Sequence, residues 1–252
     1  MTVASRGRIL TRRQIFERGE LWLGDCLELM ADIPDGSVDM ILCDLPYGTT
    51  RNKWDAIIPF APLWAHYWRV AKPNAAIVLT AQCPFDKALG ASQIQYLKYE
   101  WIWEKAKATG HLNAEKQPMK AHENVLVFYR RQPIYNPIKT KGKPYQPKGG
   151  GSANTNYGGF KAERKSGADG TRFPRSVQFF THAYQPGHPT QKPVALFDYL
   201  IRTYTNYGEL GLDNCSGSGT TAVAAHQTDR RFLCIERDLD YYLASCDRVG
   251  AL

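Results

Sequence analysis

The chain of 252 residues has no Cys-x-x-Cys pair among Cys26, Cys43, Cys83, Cys215, Cys234 and Cys246, and no histidine stands at a zinc-finger offset from two of them. That spacing excludes a zinc module and gives no metal site. Several thiols sit in apolar runs, as Cys43 does after Val38-Asp-Met-Ile-Leu, the pattern of buried free thiols in a reducing compartment. No segment approaches the roughly 20 apolar residues of a membrane span. The first 13 residues are basic but lack the apolar core of a secretory signal. Cytoplasmic location, with no membrane partner, is the expectation.

Acid is scarce in one place. Residues 131–187 hold ten Lys and Arg against only Glu163 and Asp169, which accounts for the whole formal charge of +8. The rest of the chain is neutral. The same stretch carries Gly149-Gly-Gly151, Gly158-Gly159 and interleaved aromatics such as Tyr135, Tyr145, Phe173 and Phe179. Two readings fit: a solvated basic surface insertion, or a region whose cations neutralise phosphates and whose aromatics reach bases.

With 43% hydrophobic residues the chain can build a sizeable core. Apolar runs at 21–23, 38–43, 75–80 and 125–129 read as strands, and 26–31, 59–71 and 85–90 read as helices between them. After the insertion, helices are expected over 193–203, 218–227 and 240–249, with strands over 210–212 and 231–235. Continuous apolar strands suit a sheet covered on both faces. Alternation of this kind predicts an α/β, doubly wound, mostly parallel sheet. The expected organisation is a basic N-terminal segment (1–20), one half-domain (21–130), the insertion (131–187) and a second half-domain (188–252).

In such sheets ligands gather at the carboxyl ends of strands. Asp44-Leu45-Pro46-Tyr47 follows the second strand. A carboxylate there can accept a hydrogen bond from a planar amine, a carbonyl before Pro46 can accept another, and an aromatic ring can stack; a plain strand-to-loop turn is the alternative. Asp213-Asn-Cys215-Ser216-Gly217-Ser-Gly219-Thr220-Thr221 reads as a glycine-rich turn entering a helix, and Glu236 closes the next strand. Glycines admit a ligand to the backbone, a helix start offers free N–H groups, and an acid suits ribose hydroxyls. Together they indicate an adenosine-containing cofactor, NAD or S-adenosylmethionine. Asp25 is either an acceptor for its adenine amine or the cap of the helix beginning near Cys26. His122-Glu123, just before the fourth expected strand, reads as structural.

The order Asp44-Leu-Pro-Tyr47, basic insertion, His188-Pro-Thr-Gln-Lys-Pro193, Asp213 to Thr221, Glu236 resembles the β class of amino DNA methyltransferases, and Asp44 through Trp54-Asp55 is similar to small phage or prophage adenine methylases. The resemblance covers nearly the whole chain. It implies a Rossmann-like fold, methyl transfer from S-adenosylmethionine to an exocyclic base nitrogen in DNA, a flipped base, and a homodimer. It places the catalytic motif on Asp44, Leu45, Pro46 and Tyr47, with Leu45 and Tyr47 on the base. The cofactor falls against Asp25, Cys26, Asp44, Lys192, Asp213, Cys215, Ser216, Gly217, Gly219, Thr220 and Glu236. Leu45 stands where the family usually has Pro, and Asn214-Cys215 where it has Pro-Phe. Asp44 favours adenine N6, since the family tends to carry Ser there for cytosine N4. Lys139, Lys141, Lys143 and Lys148 are expected on phosphates. Rival readings are a cytosine-N4 enzyme, an RNA target, a catalytically inactive DNA-binding relative, and an NAD-dependent dehydrogenase. The last leaves Asp44 to Tyr47 and the insertion unexplained.

Overall fold

A computed structural model describes residues 3–5, 8–10, 13–50, 52, 55–144, 169–181 and 191–252. Trp54, Tyr145, Lys148 and the glycine clusters of the insertion lie outside the described residues, as do His188, Pro189 and Thr190. The chain divides into two compact units, Met1–Asn136 with Ser176–Leu252, and Pro137–Arg175.

The large unit begins with β1 (Val3–Ser5) and β2 (Arg8–Leu10), an antiparallel pair. There follow β3 (Arg13–Phe16), β4 (Gly19–Leu23), α1 (Cys26–Leu29), β5 (Val38–Asp44), α2 (Phe60–Val70), β6 (Ala71–Ala81), α3 (Phe85–Ser92), β7 (Leu97–Thr109) and β8 (Lys120–Phe128). In the small unit β9 (Thr140–Lys141) pairs antiparallel with β10 (Thr171–Arg172). The large unit continues with β11 (Val177–Phe180), α4 (Val194–Tyr204), β12 (Leu210–Asp213), α5 (Thr220–Gln227), β13 (Arg231–Glu236) and α6 (Leu239–Gly250).

Nine strands form one sheet in the order β11-β7-β8-β6-β5-β12-β13-β4-β3. The pairs β11–β7, β6–β5, β5–β12, β12–β13 and β13–β4 are parallel, while β6–β8, β8–β7 and β4–β3 are antiparallel. The sheet is thus mostly parallel, as expected. From β5 the chain runs outward to β6, and it returns on the other side through β12. This reversal is the switch point at which open α/β sheets bind ligands.

Burial explains the local choices. Met40, Ile41, Leu42 and Cys43 of β5 are all buried, as a strand covered on both faces requires. On α2, Leu63, Trp64, Tyr67 and Val70 are buried in the core, the stripe of an amphipathic helix. Each such fully buried side chain contributes about 1.5–3 kcal/mol. Asp25 caps α1 by accepting from Leu27 N at 2.8 Å, and Asp238 caps α6 by accepting from Asp240 N at 2.9 Å. Gly19 lies so close to β13 that a Cβ there would clash with the Phe232 carbonyl oxygen.

Strands β1, β2, β3, β7, β9, β10 and β11 go beyond the sequence pattern. β7 is a 13-residue strand, and Val177–Phe180, within the stretch expected as insertion, is paired in the main sheet as β11. A correction also concerns the fourth expected strand. β8 starts at Lys120, so His122 and Glu123 lie inside it and not before it. Of the cysteines, Cys26, Cys43 and Cys234 are buried free thiols, whereas Cys83 is exposed and Cys215 and Cys246 are half-buried.

Candidate active site

At the carboxyl ends of β4, β5, β12 and β13 the large unit holds a cavity of about 500 Å³, within the usual range for small-molecule and cofactor sites. Its wall includes residues at each strand end: Gly24 and Asp25 after β4, Asp44 ending β5, Asp213 ending β12, and Glu236 ending β13. Leu45, Pro46, Tyr47, Cys26, Lys192, Cys215, Ser216, Gly217 and Thr220 also line it. Gly219 is not on the wall. It caps α5 with φ +79°, and a Cβ there would meet the Ser245 Cβ at 2.9 Å.

One side of the cavity is the loop entering α5. The Asp213 carboxylate braces it, accepting from Cys215 N at 3.0 Å and from the Thr221 hydroxyl. Burial pushes the Asp213 carboxyl up to about 6. Glu236 Oε2 accepts from Gly217 N and Oε1 from Asp238 N, each at 2.8 Å; burial raises this carboxyl too. Ser216 Oγ is buried on the wall with no hydrogen-bond partner among the described residues. An orphaned hydroxyl beside a cavity costs free energy unless a ligand engages it. Asp25 Oδ1 is committed to its helix cap, the second of the two readings of that residue, and Asp25 also lines the cavity.

The other side is built on Asp44. Its Oδ1 accepts from the Tyr47 hydroxyl at 2.7 Å and from the Thr80 hydroxyl. Its Oδ2 accepts from Lys192 Nζ at 2.8 Å. The Tyr47 ring stacks on Phe85 with centroids 5.2 Å apart. Burial, then the charges of Asp44 and Glu123, hold the Tyr47 phenol well above its ordinary pKa, so it stays a donor. The loop after Tyr47 is held by Asp55, whose carboxylate accepts from the backbone N–H groups of Gly48, Thr49 and Thr50 at 2.8, 2.9 and 2.6 Å.

Two wall or near-wall residues, Lys105 and Thr80, carry no mark in the sequence, and a third, Glu123, reads there only as structural. Glu123 lies 3.2 Å from the Tyr47 hydroxyl and forms ion pairs with Lys105 at 2.6 Å and Lys192 at 3.2 Å. Burial disfavours its charge, but Lys192 and Lys105 outweigh that and hold its carboxyl below the usual value. Thr80 stands opposite Asp44 on the neighbouring strand β6. Cross-strand register, not local pattern, brings these residues in. Lys139, Lys141 and Lys143 belong to the small unit, where Lys139 Nζ lies 4.6 Å over the Phe173 ring. Among the described residues no cluster of His, Cys, Asp and Glu could hold a metal, and no helix is long and apolar enough to cross a membrane.

A family model described as DNA methylase, of the N6/N4 type, matches residues 38–246. The chain belongs to this family. Among curated relatives, this methylase is 28% identical over 242 residues to the putative methylase YubD of Escherichia coli (strain K12), covering 91% of this chain and 89% of that protein. The M1.HpyAVI–SAM complex superimposes with a TM-score of 0.63 at 21% identity, covering 91% of this chain and 99% of the other. The PvuII cytosine-N4-specific DNA methyltransferase does so with a TM-score of 0.69 at 17% identity, covering 92% and 86%. A putative DNA modification methylase of Thermus thermophilus, complexed with S-adenosyl-L-methionine, gives 0.58 at 19%, covering 92% and 93%. These structural likenesses establish that the methylase has the methyltransferase fold.

Proposed function

We propose that this methylase transfers a methyl group from S-adenosylmethionine to the N6 amino group of adenine in DNA. The observation that carries the reading is the Asp44 carboxylate at the cavity wall, opposite a glycine-rich turn braced by the buried Asp213 and the half-buried Glu236. The residues fit the cofactor: Ser216 Oγ lacks a partner among the described residues, Gly217 leaves the backbone accessible, and Glu236 has acceptor capacity for ribose hydroxyls. Asp25 and Cys26 would flank its adenine, and Cys215 and Thr220 the remaining wall. Asp213 and Gly219 act through the shape of the loop. When bound, S-adenosylmethionine supplies an electrophilic methyl group.

An adenine inside a duplex is out of reach, so the base is flipped into the cavity. Asp44 and the Leu45 carbonyl accept its two amino hydrogens, which keeps the nitrogen lone pair out of the ring and free to attack. Tyr47 and Pro46 shape the adjoining wall, and the Tyr47 hydroxyl fixes the Asp44 carboxylate. Holding both reactants in line supplies much of the acceleration. The base nitrogen is the nucleophile, so no cysteine is given a covalent role. Asp44, in place of the Ser common in cytosine-N4 relatives, favours adenine.

The test is incubation of the purified protein with labelled S-adenosylmethionine and unmethylated genomic DNA, followed by nucleoside mass spectrometry. N6-methyladenine is expected. N4-methylcytosine would overturn the base assignment, and the absence of any methylated base would overturn the reaction.

A further inference from the structure

Four charges alternate along one wall of the cavity: Lys105, Glu123, Lys192 and Asp44, linked at 2.6, 3.2 and 2.8 Å. The Lys105, Glu123 and Lys192 side chains are each only 8% exposed. Buried ion pairs are weak contributors to stability, because desolvation offsets their attraction. A row of them on a ligand cavity points to a role in binding.

An ammonium has three donors. Lys192 uses one on Asp44 Oδ2 and one on Glu123 Oε2. Its third has no hydrogen-bond partner among the described residues, and the side chain lines the cavity. The cavity wall therefore presents an acceptor, Asp44, directly beside a donor, Lys192. Adenine carries the complement on one edge: the N6 amino group is a donor and the adjacent N1 an acceptor. Cytosine has the same order in N4 and N3. Guanine and thymine have the reverse, a carbonyl beside an N–H, which would set oxygen against carboxylate and N–H against ammonium. Such mismatch discriminates as strongly as the match attracts.

We propose that Lys192 donates its third hydrogen to the ring nitrogen next to the target amine, N1 in the adenine reaction, so that Asp44 and Lys192 read this edge as a pair. The inference rests on the proposed role of Asp44 as amine acceptor. Glu123, balanced by Lys105, is a positioning residue: it fixes the ammonium without touching the base. Burial works against the Lys192 charge, but the carboxylates of Asp44 and Glu123 outweigh it and hold its pKa above the ordinary lysine value. The proton therefore stays on Lys192 and is not passed to the base, whose amine keeps its nucleophilic lone pair.

The experiment alters one atom of the DNA and leaves the protein intact. Once the methylated site is mapped on genomic DNA, duplexes are made with the target adenine replaced by 1-deazaadenine, or by 7-deazaadenine as control. For the wild-type protein, 1-deazaadenine should lower kcat/KM by about 10- to 100-fold, the range for one hydrogen bond to a charged donor, and 7-deazaadenine should act like adenine. Removing N1 also weakens the base pair and eases flipping, so a fall runs against that bias. Lys192→Met should lower the rate on adenine and add no further loss on 1-deazaadenine. Glu123→Gln should shrink the adenine-to-1-deazaadenine ratio while leaving the Kd for S-adenosylmethionine unchanged. Equal rates on adenine and 1-deazaadenine in the wild type would overturn the pairing with N1 alone. So would a Lys192→Met protein that keeps the full discrimination and instead binds S-adenosylmethionine more weakly. No methylation of unmodified DNA would instead remove the proposed reaction, and this inference with it.

Discussion

Lys192 and Asp44 meet at 2.8 Å although 148 residues separate them in the chain. One stands just before α4 and the other ends β5, so the contact ties the two halves of the split catalytic unit together at the cavity. Because Asp44 also binds the Tyr47 and Thr80 hydroxyls, its carboxylate is fixed from three sides before any ligand enters. Preorganisation of this kind is what a positioned acceptor needs.

Asp44→Ala should therefore lower methyl transfer by about 10²–10⁴-fold, the usual contribution of one positioned polar group at the reacting atoms. Binding of S-adenosylmethionine, measured by calorimetry, should persist, since the loop of Ser216 and Gly217 and the acid Glu236 are untouched. Turnover retained at wild-type level would remove Asp44 from the chemistry.

The strand ends were legible because each is an apolar run broken by one acid: Val38 to Cys43 then Asp44, and Arg231 to Ile235 then Glu236. The glycine-rich turn was legible for a similar reason, since few other local structures need Gly217 and Gly219 so close together. β7 was not. Leu97–Thr109 is rich in Lys and Glu, and only Trp101 and Trp103 along it are buried, so it lacks both the continuous apolar run and a clean alternation. The role of Glu123 at the cavity was hidden by the same strand. The register that sets Trp103 opposite Glu123 places Lys105, two residues on, along the same face, and nothing within either segment announces that pairing. A charge inside a strand becomes readable only when its cross-strand partner is known.

Burial of Asp213 makes a statement about pH. Its carboxyl titrates at about 6 in the folded protein against roughly 3.9 in an unfolded chain. Between these values the folded state binds the extra proton, so stability falls as pH rises. The contribution is complete below about pH 4 and lost above about pH 6, a change on the order of 3 kcal/mol at 1.36 kcal/mol per unit. Asp213→Asn should flatten that slope. Unfolding midpoints of wild type and variant at pH 4.5 and pH 7 give the comparison; parallel curves would show that Asp213 is already ionised at low pH in the native protein.

Tyr204 tests the packing between α4 and β7. Its hydroxyl accepts from Trp101 Nε1 at 2.6 Å and pairs with the Tyr99 hydroxyl at 2.9 Å. Tyr204→Phe keeps the ring but strands the buried indole N–H, which costs about 1–3 kcal/mol. In a unit of this size each kcal/mol shifts Tm by about 2–4 °C. None of these three residues lines the cavity, so kcat below the melting range should be unchanged. A drop in kcat without a drop in Tm would mean that Tyr204 itself takes part in the reaction.

The small unit carries the last prediction. Lys139, Lys141 and Lys143 flank or lie on β9, all exposed and with no ion pair among the described residues. Exposed ammonium groups on a short two-stranded ribbon suit phosphates better than base edges, because an ammonium is a point charge without the fork that reads guanine. Replacing all three by Gln should weaken DNA binding by the same factor on every sequence, and it should leave the methylated site unchanged. Every phosphate that is no longer neutralised flattens the plot of log K against log salt by about 0.9, so three such phosphates together give a change of roughly 2.7 in slope. Fluorescence anisotropy on cognate and scrambled duplexes across a salt series measures both quantities. A loss confined to the cognate duplex, with the slope unmoved, would assign these lysines to base recognition instead.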